Sequence, residues 1–338
     1  MSHIGEFDLI RRISATVNVP QGVTGIGDDC AIIPQKQGLD TLVTTDLLIE
    51  GRHFLLSDVS PFDLGWKSAA VNISDIAAMG GRPVGAFLSI ALPAGTGAEW
   101  VDGFIRGFNE LCGRYGVALL GGDTSASDDK LFINVTIIGE CAHGQAVMRS
   151  GARAGDIVYV TGPLGDSAAG LKLILERSAM PDCPEEEATE AFLISRHYLP
   201  EPRVEMGMAL AALPGVHSMM DISDGIASDL KHILEESPGS GQPDPDRHGR
   251  PDRPSPLAAE VDVRSLPLSE ELKAVCAKHG WDPVELAVSG GEDYELLFTA
   301  EPAVAVPQGC VAIGRIVAGD GGIKWIGSDR EYQGFTHF

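Results

Sequence analysis

Aspartates standing beside glycines, hydroxyls or strand ends recur along this chain: Asp28 and Asp29 in GIGDDC, Asp46 after Thr44 and Thr45 in TTD, Asp75 in NISD, Asp123 in GGDT, and Asp221 and Asp224 in DISDG. Oxygen donors of this kind suit hard divalent cations, and neighbouring glycines let backbone come close to a phosphate. Each aspartate taken singly also has an ordinary explanation, because Asp favours turns and helix N-caps. Asp75 escapes that explanation. It lies inside an Ala-rich apolar helix in which Ser68, Asn72 and Asp75 share one face, and a buried carboxylate is costly without a partner. In DISDG an N-cap accounts for one carboxylate but not for both.

Other polar residues leave two readings open. His53 in GRHF is a substrate contact or a satisfied surface histidine. Arg149 offers a planar fork to phosphate oxygens or to an exposed salt bridge. Glu292 in SGGEDYEL stands on a ligand-facing turn or on an ordinary one. The chain has no EF-hand loop, no HExxH, no GxxxxGK[ST] and none of the protein-kinase HRD and DFG signatures, so any ATP is held by another scheme.

The elements that must position these groups alternate between strand-like and helix-like segments. The first half reads as a strand over 41–45, a helix over 63–79, a strand over 84–92, a helix over 99–115, and strands over 117–120 and 131–139. Trp100, Phe104, Phe108, Leu111 and Tyr115 recur at helical steps, and core packing accounts for that stripe. In the second half a strand over 157–160 runs through a glycine turn into a helix from Asp166, and SMMDISDGIASDL repeats the strand-turn-helix pattern. The Pro, Gly, Asp and Arg-rich stretch 237–256 lacks hydrophobic periodicity and reads as a mobile surface insertion. LPLS marks a helix start, and SGGEDYELLFTA, IGRI and IKWIG supply later strands. The class is α/β (mixed α+β) in two domains, 1–150 and 151–338.

Composition narrows the function. The chain has 338 residues, 44% hydrophobic and 22% charged, enough for a sizeable core, and its formal net charge of −23 argues against a nucleic-acid or anionic-membrane partner. An acidic protein that handles an acidic substrate needs cations between them. Six scattered cysteines without a CxxC pair, and an N-terminus without a signal pattern, point to the reducing cytoplasm. Every apolar run is interrupted well short of the roughly 18–20 residues that span a bilayer.

The motifs GEFDLI, GIGDDCA, TTDLLIEGRHF, KSAAVNISDIAAMGGRP, LLGGDT, RSGARAGDIVYVTGPLGDSAAGL, MDISDGIASDL, SGGEDYELLFT and GFTHF follow one another along nearly the whole chain. In this order they resemble the thiamine-monophosphate kinase family, in the superfamily that includes aminoimidazole ribonucleotide synthetase. The resemblance implies a two-domain fold whose N-terminal domain binds ATP and magnesium and pairs its sheet across a homodimer, with a C-terminal α/β domain that closes over the nucleotide. It implies Mg2+ held by Asp29, Thr44, Thr45, Asp46, Asp75, Asp123, Asp221 and Asp224. It places ATP at Gly122, Asp123, Arg149 and Ser223, and thiamine monophosphate at His53, Glu292 and Phe335. Phe335 stands where the family more often has tyrosine, which keeps the ring and drops a hydroxyl. The implied chemistry is direct transfer of the ATP γ-phosphoryl group to thiamine monophosphate. The acceptor phosphate is already largely anionic near pH 7, its second pKa being about 6, so no general base is needed.

Overall fold

A computed structural model describes residues 12, 16–18, 36–179, 187–237, 256–319 and 321–335. Asp28, Asp29, nearly all of the 237–256 stretch and the last three residues of GFTHF lie outside the described residues. The chain divides into two compact units. The first runs as far as Ala77, continues over Gly81–Gly144, and takes in Tyr198–Val204; the second comprises Ala78–Gly80, Gln145–His197 and Glu205 onward. Residues 198–204, which fall within the expected second domain, therefore belong to the first unit.

Among the described residues the first unit holds a four-stranded sheet and two long helices. The strands are β1 (Leu39–Ile49), β2 (Arg82–Pro93), β3 (Ala118–Ser127) and β4 (Phe132–Ala142), in the order β1-β4-β2-β3. Only the β2–β3 pair is parallel, and α2 (Ala98–Arg114) links it, as a parallel pair requires a crossover. The helix α1 (Pro61–Ala78) links β1 to β2. Ser60 supports its first turn: Asp63 N donates to Ser60 Oγ at 3.1 Å, and Ser60 Oγ donates to the Asp63 carboxylate at 2.8 Å. The aromatic stripe of α2 is core, with Trp100 stacked on Phe104 at 5.6 Å and Phe104 on Phe108 at 6.4 Å.

Two elements depart from the sequence reading. β1 does not end at Thr45; it stays paired with β4 through Ile49↔Phe132, so Asp46 lies in mid-strand. GGDT is not a tight turn, because Gly121, Gly122 and Asp123 lie within β3, paired with Phe87, Leu88 and Ser89 of β2. Gly and Asp are poor strand formers alone, but the partner strand carries them through.

The second unit is a six-stranded sheet, β10-β7-β9-β5-β8-β6. Its strands are β5 (Ile157–Val160), β6 (Val216–Asp221), β7 (Leu257–Asp262), β8 (Leu296–Ala300), β9 (Val311–Ala318) and β10 (Ile323–Ile326), with only β10–β7 parallel. The helices are α3 (Asp166–Ser178), α4 (Ala188–Tyr198), α5 (Val204–Ala211), α6 (Ile226–Glu236), α7 (Glu270–His279) and α8 (Pro283–Ser289). The main core lies between the sheet and α6, where Ile226, Leu230 and Ile233 meet Val158, Val160, Val261 and Leu297. Ser269 caps α7 by accepting from Leu272 N at 3.0 Å, as LPLS suggests.

Candidate active site

Alternation along β1 decides which of its oxygens can act together. Leu42 and Leu48 are buried while Val43 and Leu47 are exposed, so Thr44 and Asp46 share the inward face and Thr45 turns outward. On the inward face the Thr44 hydroxyl donates to Asp75 Oδ2 of α1 at 2.5 Å. Burial first, and then the charge of Asp75, push the Asp46 carboxyl up to about 6. On the outward face Thr45 Oγ1 lies 3.1 Å from Val135 O, Asn134 Nδ2 and Thr136 Oγ1.

The polar stripe of α1 continues below this pair. Ser68 and Asn72 are fully buried, and Asn72 Nδ2 donates to Ser68 O at 3.2 Å, while Asn72 Oδ1 has no hydrogen-bond partner. Two neighbouring carboxylates beside a hydroxyl form a hard-oxygen donor set. That set fits magnesium, which is held by one or two carboxylates and completes its shell with water or phosphate oxygens. Among the described residues no three His, Cys, Asp or Glu side chains converge as a metal cluster.

The remaining first-unit residues stand apart. Asp46 pairs with Val135, Val135 with Leu88 and Leu88 with Gly122, so Asp46 and Gly122 end one row on opposite edge strands. That is three interstrand spacings, about 14 Å, and Asp123 is the next residue on β3, too far to share an ion with Asp46 of the same chain. Gly122 has φ +153 and a Cβ there would fall 1.8 Å from Leu88 O, so only glycine permits this approach of β3 to β2. His53 sits in the turn after β1, where Ile49 N donates to its Nδ1 at 3.0 Å; that bond keeps the neutral ring's proton on Nε2.

In the second unit, chain reversal after β6 assembles a second group. Glu292 N donates to Ser223 O at 2.8 Å, Tyr294 N to Ile222 O at 3.0 Å, and Phe335 N to Asp224 O at 3.0 Å. The GGED turn and the Gly334-Phe335 segment are thereby laid against DISDG, bringing Asp221, Ser223, Asp224, Glu292 and Phe335 around one loop cluster. The approach is close: a Cβ on Gly291 would lie 2.2 Å from Ser223 O. Glu292 and Tyr294 adopt φ of 63° and 51°, backbone that non-glycine residues hold only where the surroundings enforce it, and such residues gather at functional sites. Arg149 lies elsewhere in this unit, 3.6 Å from Glu236 in an exposed pair, which is its ordinary reading.

Three residues that the sequence reading did not single out belong to this group. Asp229, on the apolar face of α6, is buried and pushed up to about 8 by burial and then by Asp221 and Asp224, and it accepts from Asp224 N at 3.3 Å. A lone carboxylate within an apolar stripe, the signal that marks Asp75, marks it too. Asp293 accepts from Gly165 N at 2.7 Å and Ser167 N at 3.3 Å, capping α3 from a distant turn, and burial pushes it up to about 8. His197 of α4 places Nδ1 3.3 Å from Glu292 Oε2.

Comparisons with known proteins fit this arrangement. Residues 27–141 match the AIR synthase related protein, N-terminal domain. The thiamine-monophosphate kinase of Bacillus subtilis (strain 168) is 39% identical over 312 residues, covering 91% of this chain and 88% of that protein. The crystal structure of thiamine-monophosphate kinase from Stenotrophomonas maltophilia K279a superposes with a TM-score of 0.77 at 33% identity, covering 98% of both chains. The structure of AaThiL complexed with AMPPCP and TMP superposes with a TM-score of 0.76 at 36% identity, covering 100% of this chain and 99% of that one. Identity at this level over nearly the full length settles the question of kinship: the chain belongs to the thiamine-monophosphate kinase family.

Proposed function

We propose that this chain is a thiamine-monophosphate kinase that transfers the γ-phosphoryl group of ATP to thiamine monophosphate, giving thiamine diphosphate and ADP. The observation that carries the reading is the end-to-end match to AaThiL complexed with AMPPCP and TMP, an ATP analogue beside the acceptor substrate. Asp46 and Asp75, with the Thr44 hydroxyl, would hold magnesium in the first unit, and Asp221 and Asp224 in the second. Bound magnesium would neutralise phosphate charge and orient the phosphates for in-line transfer.

The chain's own residues have the remaining tasks. The acceptor is a phosphate monoester, ionised without help near neutral pH, so positioning and charge neutralisation carry the chemistry and no general base is assigned. Gly122, Asp123, Arg149 and Ser223 are the assigned ATP contacts. His53, Glu292 and the half-exposed Phe335 line the acceptor site. Phosphate bonded to the protein is not on the path; labelled phosphate retained from ATP in the absence of acceptor would overturn direct transfer, with His53 as its first suspect carrier.

The reading includes a homodimer in the cytoplasm, with residues 1–150 as the ATP, magnesium and dimerisation domain and 151–338 as the second domain. Val43 and Leu47 support the dimer, since they expose 66% and 50% of their surface on the outward face of an edge strand. No described helix is long and apolar enough to cross a membrane. The test is chromatographic detection of thiamine diphosphate after incubating purified protein with thiamine monophosphate, ATP and Mg2+. Folded protein that binds ATP and forms no product would overturn the assignment.

A further inference from the structure

We infer that His197 is a positioning residue for the acceptor substrate: it orients the Glu292 carboxylate toward the cationic thiazolium ring of thiamine monophosphate. The inference rests on the proposed function and deepens it by assigning a residue that does not itself touch substrate.

The argument starts from the two ends of Glu292. Its backbone is fixed by the Glu292 N bond to Ser223 O at 2.8 Å and by the left-handed φ of 63°. Its side chain has several rotatable bonds, so a carboxylate left to itself would sample many positions, at a cost in affinity each time a ligand had to order it. His197 Nδ1 reaches Glu292 Oε2 at 3.3 Å and Ser167 Oγ at 3.1 Å. With its proton on Nδ1 the ring donates toward the carboxylate, and the Ser167 hydroxyl oxygen lies on the same Nδ1 edge as a second acceptor, so the two oxygens hold that edge of the ring between them.

The histidine is itself held rigidly. Its side chain is 4% exposed, against 29% for Glu292, so the imidazole is enclosed while the carboxylate remains within reach of a ligand. The enclosure comes from close packing of α3 on α4: a Cβ on Gly170 would lie 2.2 Å from Leu193 O and 3.1 Å from His197 Cβ. Ala169, Leu173 and Leu193 lock the same contact. A rigid donor behind a flexible, half-exposed carboxylate is the arrangement by which a supporting residue tunes a ligand-binding one. A ring bearing a fixed positive charge is the part of this substrate that a negative carboxylate would recognise, whereas ATP has no such group.

The test is steady-state kinetics of H197L, H197N and E292Q, with melting temperatures recorded for each. In H197L the KM for thiamine monophosphate should rise about 10-fold to 100-fold, with the KM for ATP and kcat within about threefold of wild type. Asn carries an amide nitrogen near the Nδ1 position, so H197N should recover most of that loss. Adding H197L to E292Q should raise KM little further, because the two act as one unit. Equal changes in both KM values, additivity in the double variant, or an unchanged KM in H197L would overturn the inference. Should H197L fail to fold, the comparison of H197N with H197Q decides it, since Gln reaches the Nε2 position instead and should not rescue. Wild type that makes no thiamine diphosphate would defeat the functional reading itself, a result distinct from all of these.

Discussion

Replacing Asp293 by Asn should shift stability progressively in the variant's favour as pH rises from about 4 to about 8, from a small loss at the acid end to a net gain at neutral pH and above. Asp293 is fully enclosed beneath the GGED turn, with Asp166 and Glu295 nearby, and burial is the largest cause of its rise from 3.8 to about 8. Its two bonds from Gly165 N and Ser167 N oppose the rise without cancelling it. The folded chain thus keeps a proton that the unfolded chain releases near pH 4. Below that pH both states are protonated and the site costs nothing. Between the two values each pH unit removes roughly 1.4 kcal/mol of native stability, a ceiling of roughly 5–6 kcal/mol by pH 8, and above that the folded state ionises too and the loss levels off. Asn copies the protonated acid and does not titrate. Its amide group must turn toward Ser167 N, which costs about 1–2 kcal/mol but does so at every pH. Urea unfolding of both proteins in chelator at half-unit steps from pH 4.5 to 9 reads the difference. A stability gap that stays flat across this range would refute the reasoning.

Three further outcomes follow from the site. Asp75→Asn should leave the fold intact and lower kcat by at least about 100-fold at millimolar Mg2+, with partial recovery at higher Mg2+; undiminished turnover would remove Asp75 from the site. Because the Asp46 carboxyl sits at about 6, protons compete with Mg2+ there: the apparent Mg2+ affinity of the substrate-free protein, measured calorimetrically, should be level above pH 7 and fall by up to about tenfold per unit below 6. Asp46→Asn should flatten that profile, and an unaltered profile would place the titration elsewhere. Phe335→Tyr adds a hydroxyl to a ring that is 50% exposed, so it should change the KM for thiamine monophosphate by about threefold or less and leave the melting temperature alone, as paired kinetics and thermal scans would show.

What the sequence disclosed was whatever depends on near neighbours. The α2 stripe and the Ser269 cap can be read from spacing, because a helix compares residues three and four apart. Asp75 stood out for the same reason, as a carboxylate on an apolar face. The continuation of β1 through Asp46 and of β3 through GGDT could not be read, since the strand that overrides their poor propensity is supplied by a distant part of the chain. Asp293 caps a helix about 126 residues before it in sequence, and His197 meets Glu292 across a comparable gap, so neither role has a local signature.

The GGEDYE run shows why an acidic composition alone could not locate the ligands. Three of its residues are carboxylates, yet the structure gives them separate partners: Asp293 turns inward to cap α3, Glu295 accepts from Thr161 Oγ1 at 2.6 Å and faces Arg196 at 3.5 Å, and only Glu292 remains partly open. Ordinary strand alternation would have put 293 and 295 together on one face and 292 and 294 on the other. Asp293 and Glu295 do stay together on the buried side, and the left-handed backbone at Glu292 and Tyr294 marks the turn that leaves Glu292 partly open. Asp46 in the first unit and Asp229 in the second are pushed up to about 6 and about 8, by burial first and then by the carboxylates beside them. Mutual repulsion that persists inside a folded protein is stored in favour of whatever cation relieves it. The carboxylates that share a site, and not the larger number that carry the net charge, are therefore the ones to test for magnesium.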